Sequence, residues 1–149
     1  MEFQKNIKQE KDVGLLPEKK QEIIRGIKDG NIQFKACNDL IKGDKEIVLE
    51  SVKQNGWNLE FASPELKNDK NVVLEAVRNE GFALEFASKK LQNDRDIVME
   101  AVKNEGFSLV NASKKLQSDR EIVIVAVKTN PSVIQYISPK LQKELKMVL

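Results

Sequence analysis

The sequence has no histidine and one cysteine, Cys37. The commonest general base at neutral pH and the commonest metal ligand are therefore both missing. Zinc sites assembled from Cys and His are excluded, and a lone cysteine cannot close an internal disulfide. No apolar run approaches the roughly 18 residues that a membrane helix requires. The opening Met1-Glu2-Phe3-Gln4-Lys5 lacks the apolar stretch of a secretory signal. The expectation is a cytoplasmic protein with no membrane contact. Charge of one sign is lacking too: 25 basic and 23 acidic side chains leave a net charge of +2, which argues against non-specific nucleic-acid binding as the main role. There is no glycine-rich phosphate loop, so no cofactor is expected.

What remains is enough for one folded domain. The 149 residues are 40% hydrophobic and 32% charged, which is neither a disordered nor a membrane-spanning composition. Within them lies an internal repeat. Asp44, Asp69, Asp94 and Asp119 recur every 25 residues and open near-copies of one unit. A weaker copy precedes them, in which Ile23, Ile27, Phe34, Cys37 and Ile41 hold the places of Val48, Val52, Leu59, Ala62 and Leu66. The units run 19–43, 44–68, 69–93, 94–118 and 119–143, with a partial unit at 144–149. Residues 1–14 share no periodicity with the repeat and read as a tail or a cap. Residues 15–149 read as one helical domain.

Each unit predicts a long helix, a glycine turn and a shorter helical piece. Asp44 is a good N-cap, because its carboxylate can accept backbone N–H bonds from the first turn. Gly56, Gly81 and Gly106 are expected to end the helix in the left-handed conformation that costs glycine little. Leu59, Ala62 and Leu66 follow an i, i+3, i+7 spacing suited to a second helical piece. Ser63-Pro64 supplies a further cap and first-turn signal, which suggests a break before Leu66. The apolar arc of the long helix, about 200° wide at 100° per residue, is too broad for a surface helix facing one neighbour. Stacking between adjacent units would cover it. The fold class is therefore an all-α solenoid of stacked 25-residue units.

The unit D-[KR]-x-[IV]-V-[LM]-x-[AS]-V-[KR]-x-x-G-[WF]-x-L-x-[FN]-A-S closely resembles the repeats of the domain-of-unknown-function family numbered 4116. The resemblance spans roughly residues 44–142. It implies a helical repeat and carries no activity and no functional residue with it. The first unit departs from the pattern. So does the fifth, with Pro131 for glycine and Ser132 for the aromatic.

Candidate contact residues lie where the stack would leave side chains outside. Glu50, Glu75 and Glu100 form an exposed stripe on the long helices. Their i, i+3 pairing with Lys53, Arg78 and Lys103 favours solvated support over a partner-reading ridge. Lys45, Lys70, Arg95 and Arg120 form a basic column, read as stems lying over the neighbouring unit with heads on the Asp caps. Trp57, Phe82 and Phe107 are expected in the core. Phe61, Phe86, Asn111 and Tyr136 vary between copies, so Tyr136 is a candidate contact. Cys37 is expected to be a small buried residue. In the fifth unit Val125 replaces the stripe glutamate, and Val110 replaces Glu60 and Glu85. These substitutions point either to an apolar contact with another chain, self-association included, or to a cover formed by Leu145 to Leu149. The reading that follows is a non-enzymatic protein–protein interaction or scaffold module with an unnamed protein partner. A helical-repeat nucleic-acid binder is the alternative, and nucleic acid is the less favoured ligand.

Overall fold

A computed structural model describes residues 14–146. The expected tail or cap at 1–14 lies, apart from Gly14, outside the described residues, as do 147–149 of the expected partial unit. The order is α1 (Pro17–Lys28), α2 (Asp39–Lys42), α3 (Lys45–Gln54), α4 (Pro64–Lys67), α5 (Lys70–Asn79), α6 (Arg95–Asn104), α7 (Arg120–Thr129) and α8 (Pro139–Lys146). Short 3₁₀ helices join them, and no strand occurs among the described residues. The protein is an all-α repeat solenoid.

The long helices α1, α3, α5, α6 and α7 form one layer, each packed on the next. Aspartate starts the last four as expected. Asp44 Oδ1 accepts the amides of Glu46 and Ile47 at 3.1 and 3.2 Å, and Asp69, Asp94 and Asp119 repeat the arrangement. Val72, Val73, Ala76 and Val77 of α5 are all fully buried, because the helix has a neighbour on each side. The alanine allows the close axial approach that such stacking needs.

The second layer consists of the 3₁₀ helices Gly56–Phe61, Gly81–Phe86, Gly106–Asn111 and Pro131–Tyr136. A short helical step follows each of them: α4 in the second unit, a further 3₁₀ turn in the third and fourth, and α8 in the fifth. Leu59, Ala62 and Leu66 thus reach the core from two pieces, since the chain extends at Ala62 and restarts at Ser63. Neighbouring units are also joined by backbone bonds in this layer. The amides of Ser63, Ser88 and Ser113 donate to the carbonyls of Lys42, Lys67 and Gln92 at 2.9–3.0 Å.

The turn glycines correct one expectation. Positive φ occurs among the described residues only at Gly14 and Gly30, so Gly81 is not left-handed. The helix instead ends through extended Glu80, with φ −137° and ψ 107°. The glycine is needed for close approach. A Cβ on Gly56, Gly81 or Gly106 would meet the carbonyl oxygen of Ala76, Ala101 or Ala126 of the following unit at 2.5, 2.6 or 2.3 Å. At the equivalent place in the fifth unit stands Pro131, which is exposed.

Candidate functional site

The stripe glutamates are not free charges. Glu50 Oε2 lies 2.9 Å from Lys28 Nζ and Glu50 Oε1 lies 2.9 Å from Lys53 Nζ. Arg78 bridges Glu75 and Glu100, each at 3.4 Å, and Lys103 lies 3.1 Å from Glu100. Lys53 and then Lys28 hold the Glu50 carboxyl below its ordinary range, and Lys103 does the same for Glu100 with help from Arg78. The stripe is a ladder of ion pairs that crosses from the first unit to the second and from the third to the fourth. Val125 ends it: half-buried and packed on the core, it offers Lys103 no carboxylate.

The basic column forms a second ladder. Lys20 reaches Asp44 at 2.9 Å, Lys45 reaches Asp69 at 2.7 Å, and Lys70 reaches Asp94 at 2.9 Å and Asp96 at 3.0 Å. Arg95 continues it to Asp119 at 3.5 Å and to Glu121. Each cation therefore bonds the cap of the following unit. Hydrogen bonds to Asp94 and Asp96 raise the Lys70 pKa. Burial pushes the Asp94 carboxyl up, but the Lys70 ammonium and the amides of Ile97 and Asp96 together bring it below its usual range.

Two side-chain devices escaped the sequence reading. Asn79 Oδ1 accepts the Gly56 amide at 2.7 Å while Asn79 Nδ2 donates to the Lys53 carbonyl at 3.1 Å. Asn104 clamps Gly81 and Arg78 of the preceding unit in the same way. The recurrence of these asparagines 25 residues apart was the available signal. The other device is a glutamine. Gln117 Nε2 donates to the Val110 and Ala112 carbonyls at 2.9 and 3.0 Å, and Gln117 Oε1 accepts from Lys114 Nζ at 3.1 Å. Gln92 ties Lys89 to its own unit likewise.

The aromatic residues sit closer to solvent than expected. Trp57 is 40% exposed and Phe82 and Phe107 are half-buried, so none of the three is fully buried, although Phe107 packs against the core. Each packs on an aromatic ring of a neighbouring unit. The Trp57 ring lies 6.3 Å from Phe82, near-parallel, and 5.9 Å edge-on from Phe86. Asn111 interrupts this seam. Beyond the break Phe107 meets Tyr136 edge-on at 5.2 Å. Cys37 is half-buried, and burial raises its thiol pKa, which suits a packing role better than a nucleophile.

Beside the break the second layer opens into a groove of about 170 Å³. Buried Leu109, Val133 and Ile137 line it. Val110, 44% exposed, and Tyr136, 64% exposed, border it, with Lys114 and Gln117 close by. Of the sequence candidates, the fold thus brings Val110 and Tyr136 together on one groove. It leaves Glu50, Glu75, Glu100 and Val125 on the long-helix layer.

The two layers differ in charge. Every ion pair among the described residues has its cation on a long helix. Lys67, Lys89, Lys90, Lys114, Lys115 and Lys140 of the second layer enter none of these pairs. The second layer also changes sign along the stack. Residues 56–68 hold Glu60 and Glu65 against Lys67, whereas 106–118 and 131–143 each hold two lysines and no carboxylate.

Among the described residues no helix is long and apolar enough to cross a membrane, and no group of Cys, Asp or Glu is arranged to hold a metal. The class is a helical-repeat protein with a layer of long helices laced by ion pairs and a grooved layer of 3₁₀ helices that is basic in its fourth and fifth units. Within that class it belongs to the family described as a domain of unknown function, DUF4116, whose model matches in tandem at residues 44–92, 69–117 and 94–142. No curated protein and no solved structure matches the chain.

Proposed function

We propose that the chain is a protein-binding module that performs no chemistry and reads its partner with the second layer of the third to fifth units. The observation that carries this reading is the division of charge between the layers. Most long-helix cations are consumed in ion pairs, and half of all long-helix cations pair between units, where their role is internal. The second-layer lysines are held by glutamine amides or left in solvent, so their charge stays available beside an apolar groove. Solenoids bind through such repeated faces. An exposed tyrosine next to an apolar pocket has the character of an interface anchor.

Nucleic acid is the less favoured ligand. All the second-layer cations of these units are lysines, whereas phosphate recognition favours the planar fork of arginine. Stacking of successive bases needs successive aromatic faces, and Asn111 and Ser132 interrupt the row. Titration of labelled single-stranded RNA and DNA at low and physiological salt tests the reading. The expected result is no saturable binding at micromolar protein. Salt-sensitive binding of either strand, lost on charge reversal of Lys114 and Lys115, would replace the protein partner with a nucleic acid.

A further inference from the structure

We infer that the groove between the fourth and fifth units takes an acidic peptide segment anchored by one apolar side chain; this rests on the protein-binding reading above. Three features of the site converge on that occupant. The first is shape. Val133 and Ile137 are buried at the groove and present hydrocarbon, so an aliphatic or aromatic side chain can exchange water for apolar contact there. The volume of about 170 Å³ suits one side chain rather than a helix face or a folded surface.

The second feature is a substitution on the rim of the groove. At the position of Val110 the second and third units carry Glu60 and Glu85, both exposed. A carboxylate there would repel an acidic ligand and wet the rim of the groove. The fourth unit removes it and places an exposed valine instead. Tyr136 also borders the groove, and its ring rests edge-on against Phe107 at 5.2 Å, a contact that favours its position before binding.

The third feature is charge. Lys114 is directed by Gln117 Oε1, an uncharged acceptor that orients the ammonium without neutralising it. Lys115 and Lys140 are exposed and enter none of the ion pairs described above. No carboxylate lies in 106–118 or 131–143. Carboxylates flanking an apolar anchor would therefore meet Lys114, and no acidic side chain lines the groove. A basic or neutral peptide would gain only the anchor contact.

The test is selection from a displayed library of random peptides on the wild-type chain and on two variants, with affinities of the recovered peptides measured at low and physiological salt. Val110→Glu restores the residue type of Glu60 and Glu85 and should fold normally. Lys114→Glu/Lys115→Glu reverses the charge at the groove and leaves its apolar lining in place, and circular dichroism and melting would check both variants. The expected outcome is enrichment of peptides rich in Asp and Glu around one apolar residue. Their affinity should fall roughly tenfold or more on either variant, and on replacing the apolar residue by serine. Enriched peptides that are basic or neutral, or that bind folded Val110→Glu as well as wild type, overturn the inference and leave the protein-binding reading standing. No enrichment over uncoated support overturns both.

Discussion

The junction between the third and fourth units and the junction between the fourth and fifth are made from the same 25-residue pattern, yet they are fastened differently. At the first, Asn104 clamps Gly81 and Arg78, Ser113 donates its amide to Gln92, and Arg78 spans Glu75 and Glu100. At the second, Thr129 stands in the place of Asn104, and its hydroxyl turns back to the Val125 carbonyl of its own helix. Val125 ends the glutamate ladder. What both junctions keep is the buried apolar face, the glycine and the pair between a long-helix cation and the next aspartate cap, Lys70 to Asp94 and Arg95 to Asp119. The difference separates the elements that make stacking sterically feasible from those that tighten it. Glycine belongs to the first group, and the amide clamp and the glutamate-stripe pair to the second. Pro131 follows the same logic. Its predecessors must lack a Cβ because the next helix carbonyl passes at 2.3–2.6 Å. A proline there closes the outer face of the fifth unit to another unit stacked in the same register.

The largest break in this comparison should come from the glycines. Gly81→Ala places a methyl group 2.6 Å from the Ala101 carbonyl and 2.8 Å from Ser108 Oγ, both in the buried junction. Backbone cannot yield cheaply, so the expected cost is about 2–4 kcal/mol in urea unfolding. Gly106→Ala should cost as much, although its junction is the looser one, because Ala126 passes even closer. Pro131→Ala should change stability by less than about 1 kcal/mol. If Gly81→Ala proves neutral, close approach is not what the position demands.

The clamps come next. Asn104→Ala leaves the Gly81 amide without its acceptor and should cost about 1–2 kcal/mol. Thr129→Asn at the looser junction should restore a clamp on Gly106 and gain up to about 1 kcal/mol. Equal effects of opposite sign would show that the asparagine position accounts for most of the difference between the junctions. A destabilising Thr129→Asn would show that the drift to threonine is matched elsewhere.

How much of this is legible in the sequence follows from what kind of force each residue exerts. The aspartate caps are readable because capping is local, and the 25-residue period shows that the helices must stack. The glycine is visible, but its reason is not. A residue without a Cβ looks the same in sequence whether φ is positive or a neighbour presses in, and only the position of the Ala101 carbonyl decides. Trp57 reads as core because its position is fixed in the unit, but a fixed position can still be exposed to solvent. Val110 and Tyr136 stand out as departures from the repeat. Their meeting on one groove is not legible, since it depends on how far the 3₁₀ helices of adjacent units are separated. The glutamine that holds Lys114 is invisible as a device, because its other partners are backbone carbonyls.

Acid should act on the stack through the caps and the ladder of the second to fourth units. The carboxyls of Asp69, Asp94, Glu50 and Glu100 all titrate below their ordinary ranges in the folded chain. The unfolded state therefore binds protons first as pH falls. The stability these groups contribute is complete above about pH 5, and it is lost as pH drops through their folded pKa values. The melting temperature should be flat near neutrality and decline below about pH 4.5, more steeply at low salt than at high. The Asp94→Asn variant, which keeps a capping oxygen, should flatten part of that decline.

The smallest expected effect is the one that tests whether Val125 is a terminus of the ladder or an interface. Val125→Glu puts a carboxylate where Glu100 stands one unit earlier. Lys103 would reach it as Arg78 reaches Glu100, 22 residues on, and Lys128 would pair with it as Lys103 pairs with Glu100, three residues on. Exposed pairs of this kind contribute a few tenths of a kcal/mol each. Against them stands the hydrophobic burial that a half-buried valine gives up, of similar size because only part of the side chain is covered. The two nearly cancel, and the net change should lie within about 0.5 kcal/mol at low salt. Salt discriminates between the terms. Raising ionic strength screens the new pairs and does not restore the missing apolar burial, so the variant should become measurably less stable than wild type at high salt. The sedimenting mass should be the same for both chains, because Val125 already packs on its own core. If wild type sediments as a larger species and the variant as a monomer, the valine is covered by a second chain, and the ladder ends there to make room for it.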